Sequence, residues 1–186
     1  MQDVAGLPLS TPLTDPPRRS RWRFHPFLDL ALGVALVAGI GQAVALQGYQ
    51  IYGHCMEPNL QNGERLLGSP LGLSHGIHRG DVVVFRPPHK PQTAFIKRVV
   101  GLPGELLEIR NSRVYVNGKL LDEPYLRFTW HDDRPATRIP ADTVFVMGDN
   151  RDNSNDSRMW GDLPVSNIQA KVLVRYWPLN RLEVFR

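Results

Sequence analysis

Two side chains in this sequence are suited to nucleophilic chemistry, and they lie far apart along it. Cys55 is the chain's single cysteine and sits in Ile51-Tyr-Gly-His-Cys-Met-Glu-Pro-Asn-Leu60. A thiol attacks a carbonyl carbon readily once a base takes its proton. The plainer alternative is a small buried hydrophobe, the commoner fate of a lone cysteine. One cysteine forms no internal disulfide and excludes a multi-cysteine zinc site, but it neither requires nor excludes an oxidising compartment. Lys97 lies in Phe95-Ile96-Lys97-Arg98-Val99-Val100. If this is a strand, Phe95, Lys97 and Val99 share one face and Ile96, Arg98 and Val100 the other. One of the two cations must then point among apolar neighbours. A lysine there loses its proton more easily and can act as a general base, which an arginine cannot. The alternative is a lysine on an edge strand whose stem follows the apolar surface while its ammonium reaches water. His54 is a poor base for Cys55, because adjacent residues in an extended segment point apart.

A third group of polar residues follows a strand-like run, in Gly148-Asp149-Asn150-Arg151-Asp152-Asn153-Ser154-Asn155-Asp156-Ser157-Arg158. So dense a set of Asp, Asn and Ser favours a loop that hydrogen-bonds to itself. Such a loop can be a structural turn network, or it can bring a serine against the lysine. Arg151 and Arg158 oppose a calcium site here. His75 and His78 are spaced to meet at a metal, but with no carboxylate or thiol motif beside them they read as solvated loop residues. No metal and no cofactor is expected.

These residues need a scaffold, and the chain order indicates one. Residues 1–26 begin as a Pro-rich tail and end in a basic, aromatic stretch with four arginines between Arg18 and Arg23. Residues 27–46 are nearly all Leu, Ala, Val, Ile and Gly. At about 1.5 Å per residue they reach roughly 30 Å, the thickness of a hydrocarbon core. The expectation is a disordered basic cytoplasmic tail, a single transmembrane helix over 27–46, and an extracytoplasmic domain over 47–186. The arginines before the apolar run orient it, and the next Arg or Lys after it is Arg65. A cleaved signal peptide is the competing reading, with Ala43-Val44-Ala45 as its cleavage site. The basic cluster beside an apolar run points to a lipid bilayer as partner, not to nucleic acid.

After residue 47 the pattern is one of short strands and turns. Residues 81–85, 95–100, 106–110, 113–116, 143–147 and 171–177 are strand-like, and Asn117-Gly118 between apolar runs signals a type I′ hairpin. Residues 122–140 read as polar and irregular. With 16 Pro and 16 Gly breaking the chain, the expected fold is mainly β, an antiparallel sandwich or partly closed barrel.

Three blocks in this order after a membrane anchor resemble type I signal peptidase, the bacterial leader peptidase. Its nucleophile block has the form Ser-Met-x-Pro-Thr-Leu, which Cys55-Met56-Glu57-Pro58-Asn59-Leu60 follows with cysteine for serine and Asn59 for threonine. Its Lys-Arg-Val-Val-Gly-Leu-Pro-Gly core is present unchanged from Lys97 to Gly104. Its Gly-Asp-Asn-Arg-x-x-Ser-x-Asp-Ser-Arg block spans Gly148 to Arg158. The resemblance implies a peptidase at the plasma (inner) membrane that removes signal peptides from exported preproteins after small residues, in an Ala-x-Ala pattern. It implies Cys55 as nucleophile, Lys97 as base and Ser154 as the hydroxyl that orients the lysine. The backbone N–H of Cys55 becomes an oxyanion donor, and Asp156 and Arg158 a structural ion pair. Gly53 stands where some members carry a further serine donor. A signal-peptide-binding homologue with weak or no turnover is the alternative that the cysteine raises. Repressor-type autoproteases share serine–lysine chemistry, but no helix-turn-helix pattern is present.

Overall fold

The computed structural model describes residues 46–127 and 129–185, in which β-branched and aromatic runs form antiparallel strands. In chain order these are β1 (Gln47–Gln50), β2 (Arg65–Ser69), β3 (Val82–Phe85), β4 (Phe95–Gly101), β5 (Leu106–Arg110) and β6 (Arg113–Val116). They continue as β7 (Lys119–Leu120), β8 (Arg134–Arg138), β9 (Thr143–Met147), β10 (Leu163–Pro164), β11 (Ile168–Trp177) and β12 (Glu183–Val184). One helical turn, α1 (Ser157–Trp160), lies between β9 and β10. The larger sheet runs β1-β2-β11-β3-β4-β9-β10, with β12 added to β11, and it curls into an antiparallel half-barrel. The smaller sheet runs β7-β6-β5-β8.

β3 and β4 lie in the middle of the larger sheet and show why these sequences read as near-continuous apolar runs. Val82 and Val84 join Ile51, Met56, Leu60 and Leu66 in one cluster. Val83 and Phe85 join Val99, Val146 and Ile168 in another. A strand covered on both faces loses the in–out alternation of a half-exposed one. A third cluster, with Leu107, Val114, Trp130 and Phe145, packs the smaller sheet against β4 and β9.

The mainly β expectation holds, and the half-barrel replaces the undecided choice between sandwich and barrel. Asn117 and Gly118 have φ of 50° and 77°, the left-handed pair that a type I′ hairpin needs. Asn111 and Ser112, at 48° and 62°, turn the preceding hairpin in the same way. Residues 122–140 are not irregular throughout: β8 lies within them. Its side chains are largely exposed and it contains Pro135, so it carries neither the apolar alternation nor the β propensity that marks a strand. The segment expected to cross a membrane, residues 27–46, lies outside the described residues except for Leu46, as does the tail before it. Among the described residues no helix is long and apolar enough to cross a bilayer.

Candidate active site

Cys55 sits on a loop that leaves the sheet after β1 and returns to it at β2. The loop is closed at its base by Ile51 N–H to Glu64 O at 2.9 Å and Gly63 N–H to Ile51 O at 2.9 Å. Met56 and Leu60 insert into the core beneath it, at 1% and 0% exposure. Its far side is gripped by two arginines from the C-terminal end of the chain. Arg175 and Arg181 both donate to the Asn59 carbonyl, and Arg181 also to Pro58 O at 3.1 Å. Buried Glu64 faces both: it hydrogen-bonds Arg175 at 3.1 Å and lies 3.1 Å from Arg181 Nε in a less aligned ion pair. The part-buried Cys55 is thus carried on a loop fixed at base, underside and flank.

The loop and β4 bring sulfur and amine together. Lys97 Nζ lies 2.9 Å from Cys55 Sγ and donates to Ile96 O, also at 2.9 Å. Lys97 is only 3% exposed, has its Nζ 5.4 Å from the Phe95 ring centre, and has no carboxylate partner among the described residues. β9 pairs with β4 only from Arg98 onward, so the stretch ahead of it has an open edge on that side. That edge borders a cleft of about 370 Å³ lined by Ile51, Gly53, Cys55, Ala94, Ile96 and Lys97, among others. The backbone N–H of Cys55 donates to none of the described residues. His54 turns away to pair with Glu57 at 2.8 Å.

The polar loop after β9 buttresses Cys55 from behind. Asn150 N–H donates to Cys55 O at 3.0 Å, and its side-chain amide to His54 O at 3.1 Å. Gly148 leaves room for this approach: a methyl group there would lie closer than 3.0 Å to both Cys55 O and Ser154 Oγ. The fully buried Asp156 accepts from Gly148 N–H at 2.9 Å and pairs with Arg158 at 2.9 Å. Ser157 Oγ accepts from Val146 N–H at 3.0 Å, tying the loop to β9. Ser154 departs from the expectation for it. Its hydroxyl is buried without a hydrogen-bond partner among the described residues, and the acceptor that holds Lys97 beside the sulfur is the Ile96 carbonyl.

Sequence reasoning passed over a second, fully paired cation. Arg98 grips Asp149 with two bonds of 2.8 and 2.7 Å. Burial alone would lower the Arg98 guanidinium, but the hydrogen bond and charge of Asp149 outweigh it and hold it above its ordinary range. Asn59 spans from the Cys55 loop to Asp149 Oδ2 and to Tyr125 O, each at 2.8 Å. Arg98 also stacks 4.3 Å from the centre of the Tyr125 ring, whose hydroxyl burial pushes well above the usual tyrosine range. The clue was available: Arg98 lies in a strand covered on both faces, and a guanidinium there requires a carboxylate. The asparagine at position 59 thus has work of its own, joining three segments.

Known proteins match nearly this whole chain. The family model described as "Signal peptidase, peptidase S26" covers residues 25–177. The chain belongs to this family. It is a peptidase, and so a hydrolase. The signal peptidase I of Leptolyngbya laminosa is 37% identical over 183 residues, covering 94% of this chain and 90% of that protein. The probable signal peptidase I-1 of Synechocystis sp. is 41% identical over 177 residues, covering 89% of each. A crystal structure of a signal peptidase I from Enterococcus faecalis aligns with 51% of this chain and 95% of its own, at 29% identity and a TM-score of 0.45. In this peptidase of the S26 family, then, a thiol and a buried amine meet at the open edge of β4.

Proposed function

We propose that this peptidase removes N-terminal signal peptides from exported preproteins, cutting after small residues in an Ala-x-Ala pattern with Cys55 and Lys97 as its reacting pair. The observation that carries the reading is the 2.9 Å separation of Cys55 Sγ and Lys97 Nζ beside the cleft. An extended peptide can pair with the open edge of β4, adding a strand by main-chain hydrogen bonds. The cleft's largely apolar walls suit small apolar side chains.

The steps follow from the groups present. Lys97 takes the thiol proton while Cys55 sulfur attacks the scissile carbonyl carbon. The oxygen that gains charge meets the N–H of Cys55, which donates to none of the described residues. Lys97 then gives its proton to the departing amine, leaving a thioester on Cys55. A water molecule, relieved of its proton by the same amine, releases the acyl group. The Ile96 carbonyl keeps Nζ in position through the cycle. The same reading has residues 27–46 span the plasma (inner) membrane, residues 1–26 lie in the cytoplasm and residues 47–186 act outside it against the bilayer.

Cleavage of an Ala-x-Ala preprotein, assayed with and without a thiol-alkylating agent, tests the reading. The wild type cuts and alkylation stops it; Lys97→Ala loses about 10²- to 10⁴-fold in rate, the usual contribution of a general base. Full cleavage by Lys97→Ala removes Lys97 from the mechanism. A second reading, a signal-peptide binder with little turnover, draws on the sulfur at position 55 and the side-chain donor missing at Gly53. It is favoured if neither the wild type nor Cys55→Ser cuts while both retain a signal peptide.

A further inference from the structure

The Cys55–Lys97 pair has a second chemistry available that does not depend on a peptide. Lys97 is 3% exposed, and its amine lacks a carboxylate partner among the described residues and lies 2.9 Å from the sulfur. The sulfur borders the open cleft, where a small oxidant can reach it. The chain has one cysteine, so an oxidised Cys55 has no second thiol of its own chain to form a disulfide with. A sulfenic acid condenses with a thiol to a disulfide or with a backbone nitrogen to a sulfenamide, and an amine 2.9 Å away is a stronger nucleophile than an amide nitrogen.

We infer that Cys55 and Lys97 form a reversible sulfur–nitrogen crosslink, a sulfenamide, when the peptidase meets hydrogen peroxide. In the first step Cys55 sulfur attacks one peroxide oxygen and the O–O bond breaks. The departing oxygen leaves as water with the proton shared by thiol and amine, so sulfur is oxidised to the sulfenic acid and peroxide is reduced. In the second step Lys97 Nζ attacks that sulfur, an S–N bond forms and the S–O bond breaks. The oxygen leaves as a second water, taking a proton from the nitrogen. The protein has lost two hydrogens and gained no oxygen. Two equivalents of an external thiol reverse the change, restoring thiol and amine and leaving one disulfide. The crosslink spares the sulfur from further, irreversible oxidation. It also holds both groups of the proposed reacting pair out of use until a reductant arrives.

The test uses the full chain in detergent micelles, treated with hydrogen peroxide and read by mass. The wild type is expected to lose two hydrogen masses, to regain them with dithiothreitol, and to resist trypsin at Lys97, which stays joined to the Cys55 peptide. Lys97→Ala is expected to show no such loss and instead to be labelled at Cys55 by dimedone, which traps sulfenic acid. The inference is overturned if the wild type takes up oxygen or dimedone while trypsin still cuts at Lys97, or if its mass does not change. The wild-type measurements decide even if Lys97→Ala folds poorly. They also separate this inference from the proposed peptidase mechanism, because the crosslink is read by mass and the mechanism by cleavage.

Discussion

At the scale of single residues, the site depends on how closely groups approach. Cys55 O receives Asn150 N–H, and this requires the chain at Gly148 to pass without a side chain. A methyl group there meets backbone on one side and Ser154 on the other, so little can give way. Gly148→Ala is therefore expected to cost about 1–3 kcal/mol of stability, the usual cost of overpacking, and to shift Cys55 away from Lys97. Urea unfolding measures the first effect; the rate of Cys55 alkylation measures the second. Unchanged values in both would mean that the loop relaxes without strain. Ser154 presents the opposite case. Its buried hydroxyl has no partner among the described residues, so Ser154→Ala removes no hydrogen bond to them and is expected to leave stability nearly unchanged. A loss of several kcal/mol in urea unfolding would show a bond that forms in solution.

At the scale of elements, β4 is the piece on which the others converge. It carries Lys97 to the thiol and, one residue later, Arg98 to Asp149. Through Asn59 the same carboxylate also holds the Cys55 loop, so three segments meet at Asp149. Removing one member of a buried ion pair leaves the other uncompensated, which typically costs ~3–5 kcal/mol. Asp149→Asn keeps the shape and removes the charge, and is expected to fall in this range by chemical denaturation. A cost below ~1 kcal/mol, the value of an exposed pair, would show that water reaches Arg98. β9 completes the arrangement by pairing with β4 only from Arg98 onward, which leaves the edge beside the cleft unpaired.

At the scale of the whole molecule, Arg175 and Arg181 reach back to the Cys55 loop. Arg181 lies 122 positions beyond Asn59 and yet donates to its carbonyl at 3.0 Å. Together with Arg175 it flanks Glu64, so β11 and the turn after it steady the Cys55 loop. Arg181→Ala is expected to weaken this clamp by about 1.5–3 kcal/mol, the range for hydrogen bonds to charged groups, reduced by its partial exposure. In a cleavage assay the loss should appear in kcat more than in KM, because the edge of β4 proposed to pair with the substrate is untouched. An equal change in both would mean that Arg181 acts through the cleft itself.

The local order of the chain was sufficient for much of this. Alternating and continuous apolar runs identified the principal strands, and Asn117-Gly118 identified a hairpin, because these depend on neighbours a few residues apart. The three blocks around Cys55, Lys97 and Gly148 stood out in the sequence, and with them the family. β8 was not legible, since an exposed edge strand containing a proline carries little periodic signal. Only the tertiary structure decided that sulfur and amine stand 2.9 Å apart, that Lys97 leans on the Ile96 carbonyl and not on Ser154, and that Asn59, Asp149 and Arg98 form one junction. These contacts join residues far apart in the chain. Their geometry is set by how sheets and loops close over a shared core, and no local spacing encodes that.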